Sequence, residues 1–344
     1  MTGAVLVAGG AGYVGAHACK ALARAGFRPV VLDNLATGHR DFVRWGPLVE
    51  ADLKETEAVA EAIRHHGCAA VLHFAASAEV GESVADPAKY YENNVAGTLS
   101  LLRAMRTERC GVLVFSSTCA VYGEPTRVPI DEEVPLAPIS PYGASKRMVE
   151  RILADFRPAY GLRSVALRYF NACGADPEGE LGELRETETH LIPRAMMALL
   201  GQIPNLTVFG TDFETPDGTA IRDYVHVSDL ANAHVAALGT LLGGAPGGVF
   251  NLGTGRGCSV KEVLEAIERE AGARVPCAID PRRPGDPAVL VASAARARAA
   301  FGFDPVQSDL ASIVRTAWAW HRRADPSHDA HRRDARRRNA RPER

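Results

Sequence analysis

No apolar run in this 344-residue chain reaches the roughly 18 residues that a membrane-spanning helix needs. The best candidates, residues 4–8 and 112–115, are strand-sized and bounded by Gly or Ser. The N-terminus also lacks a basic stretch followed by an uninterrupted apolar one, so neither a membrane partner nor export is expected, and the expected compartment is the cytoplasm. Paired cysteine spacing is missing too. The Cys residues at 19, 68, 110, 119, 173, 258 and 277 include no CxxC and are odd in number, which argues against a metal site and against a disulfide framework. Reduced thiols in a packed interior are expected instead. Lysine is scarce, only five of 39 basic residues. The formal net charge of −2 hides a basic end, since residues 321–344 hold nine Arg against three Asp and one Glu. With almost no large apolar side chains, residues 323–344 read as a solvated, disordered tail, and no nucleic-acid partner is expected.

What is present is ample apolar content, 47 % of residues, enough for a large core and two lobes. Strand and helix patterns alternate through the first half: strand 4–8, helix 15–25, strand 29–32, helix 54–66, strand 69–74, helix 94–106, strand 112–116, helix 141–160 and strand 164–169. This predicts an α/β fold, a doubly wound parallel sheet of the Rossmann kind, with ligands beyond the carboxyl ends of its strands. From about residue 172 the alternation weakens, and Gly, Pro and acidic residues crowd 174–188 and 210–219. The expected division is a cofactor domain over 1–172 and a smaller substrate-binding lobe over 173–322, with a helical segment 223–241 packing back onto the first domain.

Directly after the first strand stands Gly9-Gly10-Ala11-Gly12-Tyr13-Val14-Gly15, its glycines opening the next helix. Such glycines permit a tight turn and let backbone N–H groups and the positive helix end meet a pyrophosphate. Asp33 closes the second strand. A carboxylate there accepts hydrogen bonds from ribose hydroxyls and repels a 2′-phosphate, so NAD is favoured over NADP. Asp52, taken alone, reads as a helix N-cap.

Tyr142 and Lys146 lie four apart on one predicted helix and share a face. Ser140-Pro141 reads as an N-cap followed by Pro at the first helical position, which puts Tyr142 in the first turn. A tyrosine acting as a base near pH 7 needs its pKa lowered from about 10 by about three units, or roughly 4 kcal/mol. A nearby cation and a helix N-terminus supply part of that, and an oxidised nicotinamide would add a second positive charge. Thr118, at the end of a predicted strand, can bond a substrate hydroxyl and pass its proton toward a base. Each of the three also admits a plainer role, a surface Tyr beside a Lys stem or a Thr capping a turn.

Together these residues resemble the extended short-chain dehydrogenase/reductase family, and within it the UDP-glucose 4-epimerases, over about residues 3–320. The resemblance is carried by the Gly fingerprint, Tyr142-xxx-Lys146, His73-Phe74-Ala75-Ala76, Val80-Gly81-Glu82-Ser83, Asn93-Asn94-Val95 and Arg168-Tyr169-Phe170-Asn171. Further along, Thr189-His190-Leu191-Ile192-Pro193, Ile221-Arg222-Asp223-Tyr224, Asn251-Leu252-Gly253-Thr254-Gly255 and Arg282-Arg283-Pro284-Gly285-Asp286 extend it. It implies that NAD is held by Gly9, Gly12, Tyr13, Val14, Gly15, Asp33, Asn34, Asp52 and Leu53. Phe74, Ala75, Ala76, Asn94, Thr118, Tyr142, Lys146 and Tyr169 would complete that site. Thr118, Tyr142, Asn171, His190, Leu191, Thr207, Val208, Phe209, Arg222, Arg283, Asp286 and Leu290 would hold a UDP-sugar, the arginine forks facing its diphosphate.

The implied reaction is transient oxidation at C4. Tyr142 phenolate takes the 4-hydroxyl proton by way of Thr118, hydride leaves C4, the 4-keto sugar turns its other face, and hydride returns. The resemblance also implies a homodimer. Dehydratase relatives follow the active-site Thr with Asp-Glu, whereas Cys119-Ala120 stand here, so elimination is disfavoured. Ser77-Ala78-Glu79 occupies a segment where some relatives carry Lys. The position that gates the sugar's C2 substituent falls near Leu290, which leaves N-acetylhexosamine and pentose nucleotides open beside UDP-glucose and UDP-galactose. An NAD-bound sensor or scaffold on the same fold is the reading from a different class.

Overall fold

The computed structural model describes residues 3–283 and 285–324. Pro284 of the arginine motif and residues 325–344 of the expected tail lie outside them. In chain order the strands are β1 Ala4–Ala8, β2 Arg28–Asp33, β3 Leu48–Glu50, β4 Cys68–His73, β5 Val112–Thr118, β6 Arg163–Tyr169 and β7 Asn171–Cys173, then β8 Leu206–Phe209, β9 Ile221–His226, β10 Gly247–Leu252, β11 Gly257–Ser259, β12 Cys277–Asp280 and β13 Val289–Leu290. The helices are α1 Tyr13–Arg24, α2 Thr56–His66, α3 Val80–Ala85, α4 Pro87–Tyr90, α5 Gly97–Thr107, α6 Pro141–Tyr160, α7 Leu191–Leu199, α8 Val227–Leu242, α9 Val260–Ala271, α10 Ala295–Phe301 and α11 Leu310–Ala324.

Seven strands form one parallel sheet in the order β10-β6-β5-β4-β1-β2-β3. The order reverses direction between β1 and β4, and ligands of such sheets sit beyond the strand ends at that point. The central strands are buried on both faces because two apolar layers cover them. Val5, Val7, Leu72, Val114 and Leu167 face α1 and α8, where Leu22, Leu230 and Leu238 meet them. Leu6, Val71, Leu113 and Phe115 face α2, α5 and α6, where Ile63, Leu101, Met105, Val149 and Leu153 meet them. A third cluster, with Ile192, Met196, Val208, Tyr224, Val263, Ile267 and Ile313, is the core of the smaller lobe.

Three expectations change. Residues 223–226, expected to be helical, are strand: Ile221–His226 pairs with β7, β11 and β13, and α8 begins only at Val227, after His226 Nδ1 accepts from Ser228 N at 3.1 Å. β10, well beyond residue 172, adds an edge strand to the large sheet, and α8 packs on α1, β5 and β6. β10 begins Gly247-Gly248, a poor strand signal, for a steric reason: a Cβ on Gly247 would lie 2.0 Å from Ser164 O in β6. The expected helix 94–106 is a π-helical turn over Tyr91–Ala96 running into α5.

Candidate active site

The Gly fingerprint forms a turn with no spare room. Gly9 has φ +79°, and a Cβ there would lie 2.5 Å from Ala75 N; one on Gly15 would lie 2.1 Å from Gly9 O. β1, the α1 start and the end of β4 therefore meet through backbone alone. Gly12 is the N-cap of α1 and offers no side-chain cap, and no acidic residue occupies the first turn, leaving a helix N-terminus suited to an anion. Asp33, 8 % exposed, accepts Ala11 N and Leu35 N at 2.9 Å each, so its carboxylate is pinned beside the turn; burial raises its pKa against the pull of those two amides. This cradle of close-packed glycines, free helix end and fixed carboxylate fits a dinucleotide.

Other residues expected at that cofactor are spread over several elements. Phe74 and Tyr169 line the β4 and β6 ends, each against the buried His234 ring, at 4.6 and 6.1 Å. Asn94 is buried, with Oδ1 accepting Ser77 N at 2.8 Å and Nδ2 donating to Ser77 O and Ser145 Oγ at 3.0 Å. Both of its donors are thus committed to fixing the 77–79 segment against α6. Tyr13 donates its hydroxyl to Gly174 O at 2.6 Å, tying the cradle to the second lobe. Asp52 does not cap α2; it accepts Lys54 N at 2.8 Å and Asn34 Nδ2 at 3.0 Å in the preceding turn. Leu53 is buried in the core below.

Tyr142 occupies the first turn of α6, as Ser140 Oγ accepts Gly143 N at 3.2 Å with Pro141 following. Thr118 ends β5 opposite Tyr169 of β6. Lys146 Nζ donates to Ser116 O at 2.9 Å and stands 4.8 Å from the Phe115 ring centre and 6.0 Å from that of Tyr142. Burial pulls Lys146 down to about 7. Burial, and then Tyr169, push Tyr142 upward, while Thr118 pulls it down. Among the protein's own groups, then, loss of hydration sets the direction and Lys146 does not lower Tyr142; the expected lowering counted an oxidised nicotinamide as well.

The residues expected on the substrate side are held differently. Arg222 pairs with Asp286 and donates to Ile221 O at 2.8 Å. Arg283 lies 3.9 Å over the Phe209 ring, beside Thr207 and Val208 on β8. Asn171 donates to Asp223 O at 3.0 Å, and Leu290 continues β13 next to Arg222. His190 precedes Leu191 and α7 and pairs through Nδ1 with Glu183 at 2.6 Å. Burial opposes its protonation, but Glu183 outweighs this and raises it. The sequence reading missed Glu79, which binds Arg185 at 2.7 Å and accepts Thr189 Oγ1 at 2.6 Å, strapping the 77–79 segment to the loop before α7. The signal available was its place in the segment that departs from the family pattern.

Known proteins fit this geometry. Residues 5–253 match the NAD dependent epimerase/dehydratase family. A UDP-glucose 4-epimerase of Rhizobium leguminosarum bv. trifolii is 52 % identical over 321 residues, 93 % of this chain and 98 % of that protein. A UDP-glucose 4-epimerase from Brucella ovis, solved in complex with NAD, superposes with a TM-score of 0.91 at 54 % identity, covering 92 % of this chain and 98 % of that one. One from Bifidobacterium longum, solved with NAD+ and UDP, gives 0.88 at 36 % identity over 94 % and 99 % of the two chains. This chain belongs to the NAD dependent epimerase/dehydratase family.

Proposed function

We propose that the chain interconverts UDP-glucose and UDP-galactose by transient oxidation at C4, with NAD held throughout the cycle. The observation that carries this is the grouping of Thr118, Tyr142 and Lys146 at the ends of β5 and the start of α6, with Cys119-Ala120 next in place of acids. When bound, NAD supplies the hydride acceptor, a positive charge in its oxidised form, and the hydride that returns. Tyr142 takes the 4-hydroxyl proton with Thr118 in the path, and Lys146 stabilises the phenolate. The same tyrosine gives the proton back on the other face of the sugar, so no acid at residue 119 or 120 is needed. Arg222, Arg283 and His190 hold the diphosphate end, and Gly9–Gly15 with Asp33 hold the cofactor.

The deciding experiment is turnover of UDP-galactose by the purified protein without added NAD. Conversion to UDP-glucose at a rate tracking bound NAD supports the proposal; protein that retains NAD and does not turn over refutes it. We assign the cofactor lobe to residues 1–172 plus α8 and β10, and the substrate lobe to the remainder through residue 322. The chain is read as a cytoplasmic homodimer. Seven unpaired cysteines support the compartment, and exposed Val84, Tyr91 and Met148 on α3, the 91–96 turn and α6 support a second copy there. Among the described residues no helix is long and apolar enough to cross a membrane. Light scattering at micromolar concentration tests the dimer, and monomer mass refutes it.

A further inference from the structure

Beneath the reacting hydroxyls runs a buried polar chain that this chemistry leaves unused. Glu150 follows Lys146 by one turn of α6, on the same face. Its Oε1 accepts Ser117 Oγ at 2.6 Å and Arg168 Nε at 2.9 Å, and its Oε2 accepts Arg168 Nη2 at 2.5 Å. Both side chains are almost sealed, Arg168 5 % and Glu150 6 % exposed. Arg168 Nη1 donates to Tyr122 OH at 2.9 Å, Tyr122 OH donates to Asn251 Oδ1 at 2.7 Å, and Asn251 Nδ2 donates to Ile130 O at 3.0 Å. Ile130 in turn bonds Val291 O and Ser293 N, both at 2.7 Å. The chain thus passes from α6 through β5, β6 and β10 to the strand end that carries Leu290.

Buried Lys146 has no counter-charge in contact among the described residues. The groups around it are Tyr142 and Glu150 on its own helix, His73 from β4, the Ser116 carbonyl and Phe115 ring from β5, and Tyr169 from β6, whose hydroxyl meets Ser116 Oγ at 2.6 Å. Tyr90 of α4 covers Tyr142 from outside, ring centres 6.4 Å apart. Glu150 is the one anion among these, and it is felt at Lys146 against the burial that favours the neutral amine. Arg168, on the far side of Glu150, is not among the groups that shift Lys146. A carboxylate with three charge-assisted or hydroxyl bonds is held firmly in place.

We propose that Glu150 is a positioning residue for the hydroxyl chemistry: gripped by Ser117 and Arg168, it keeps Lys146 charged beneath Tyr142. This rests on the assignment of Tyr142 and Lys146 above. Activity at high pH falls where Lys146 loses its proton, so the alkaline limb of the kcat profile reports Glu150. Removing Glu150 alone leaves Arg168 buried without its carboxylate; removing Arg168 alone leaves the carboxylate buried without its ion-pair partner.

The test is the alkaline limb of the NAD-bound enzyme in Glu150→Gln, Arg168→Met and the double variant. Glu150→Gln and the double variant are both expected about one unit below the parent, with Arg168→Met at the parent's value. KM should hold within about twofold of the parent throughout, because no diphosphate contact changes. Each single variant strands a buried charge and can lose the fold, so the double variant, which strands none, carries the decision. A folded double variant whose limb superposes on the parent's overturns the proposal, as does a uniform loss at all pH values with the limb unmoved. Lys146→Met separates the two layers of argument. If it keeps parental turnover, the assignment of the reacting pair is wrong; if it loses turnover while the other limbs stay fixed, only the role of Glu150 is wrong.

Discussion

The proposed cofactor and substrate sides of the site are built from different materials. On the cofactor side the fit is between backbones, with Cβ positions on Gly9 and Gly15 blocked at 2.5 and 2.1 Å and Asp33 locked by two amides. On the substrate side long charged side chains hold one another: Arg222 with Asp286, Arg282 with Asp212 at 2.7 Å, His190 with Glu183 at 2.6 Å and Arg185 with Glu79 at 2.7 Å. Backbone contact of that kind is preorganised and admits no substitution. Partly exposed ion pairs are worth about 0–1 kcal/mol each, so a diphosphate can replace a carboxylate partner at little cost. One wall is a mould and the other a set of exchangeable clasps.

Substitutions on the mould should be the most damaging. Gly15→Ala forces a methyl into the Gly9 carbonyl, and because backbone rather than a flexible side chain must give way, the cofactor should be lost outright and turnover with it. The absorbance of NAD released on denaturation measures this; an alanine variant with a full complement of NAD would show the turn to be adaptable. Next in size is Tyr142→Phe, which leaves the mould intact. It should keep NAD and lose about 10²–10⁴-fold in kcat, the share of a positioned proton-transfer group. Equal kcat in that variant would remove Tyr142 from the chemistry.

The same contrast explains what could be read in the sequence. Mould residues announce themselves, since only Gly serves where φ is +79° or a Cβ has no space, and they stand between a buried strand and a helix in one short window. The α6 N-terminus was equally plain, because Ser140-Pro141 caps and starts the helix through local chemistry alone. Ile221–His226 was misjudged because its strand partners β7, β11 and β13 come from residues 171–173, 257–259 and 289–290. No window around residue 223 contains them. β10 was hidden because its glycines serve contact with Ser164 O rather than turn formation. The clasps were visible only through family resemblance, since an Arg on a strand does not declare which distant Asp it meets.

Clasps should respond in KM before kcat. Arg222→Met removes a forked donor and is expected to raise KM for the UDP-sugar by about 10–100-fold with kcat within a few-fold, in line with about 1.5–3 kcal/mol for a charged hydrogen bond. An unchanged KM would take Arg222 out of the diphosphate site. Acid should separate the walls as well. His17, His226 and His234 are held down to about 4 and His73 to about 3 by burial, while His190 is raised, its burial outweighed by Glu183. Depressed bases contribute stability that is complete above the unfolded value near 6.5 and is lost as pH falls toward 4, because the unfolded chain takes up protons first. For His190 the sign reverses: its contribution is complete below about 6.5 and is lost as pH rises through the raised value. The midpoint of thermal unfolding should therefore drop by several degrees between pH 6.5 and 4, with amide exchange accelerating in β4, α1 and α8 before the 183–190 loop. A flat midpoint, or the opposite order of exchange, would contradict the assignment.

The smallest effect expected is also the sharpest test of exchangeability. If Asp286 only holds Arg222 until a diphosphate arrives, Asp286→Asn removes a competitor and should lower KM by a few-fold, with kcat and bound NAD unchanged. If Asp286 orients Arg222 toward the ligand, the same change frees the guanidinium to wander and KM rises instead. Half-buried Asp286 faces Arg222 through one carboxylate oxygen, Oδ1, and a monodentate clasp directs a guanidinium far less than a fork-to-fork pair does. A fall in KM is therefore the outcome expected, and a rise would move this clasp into the mould.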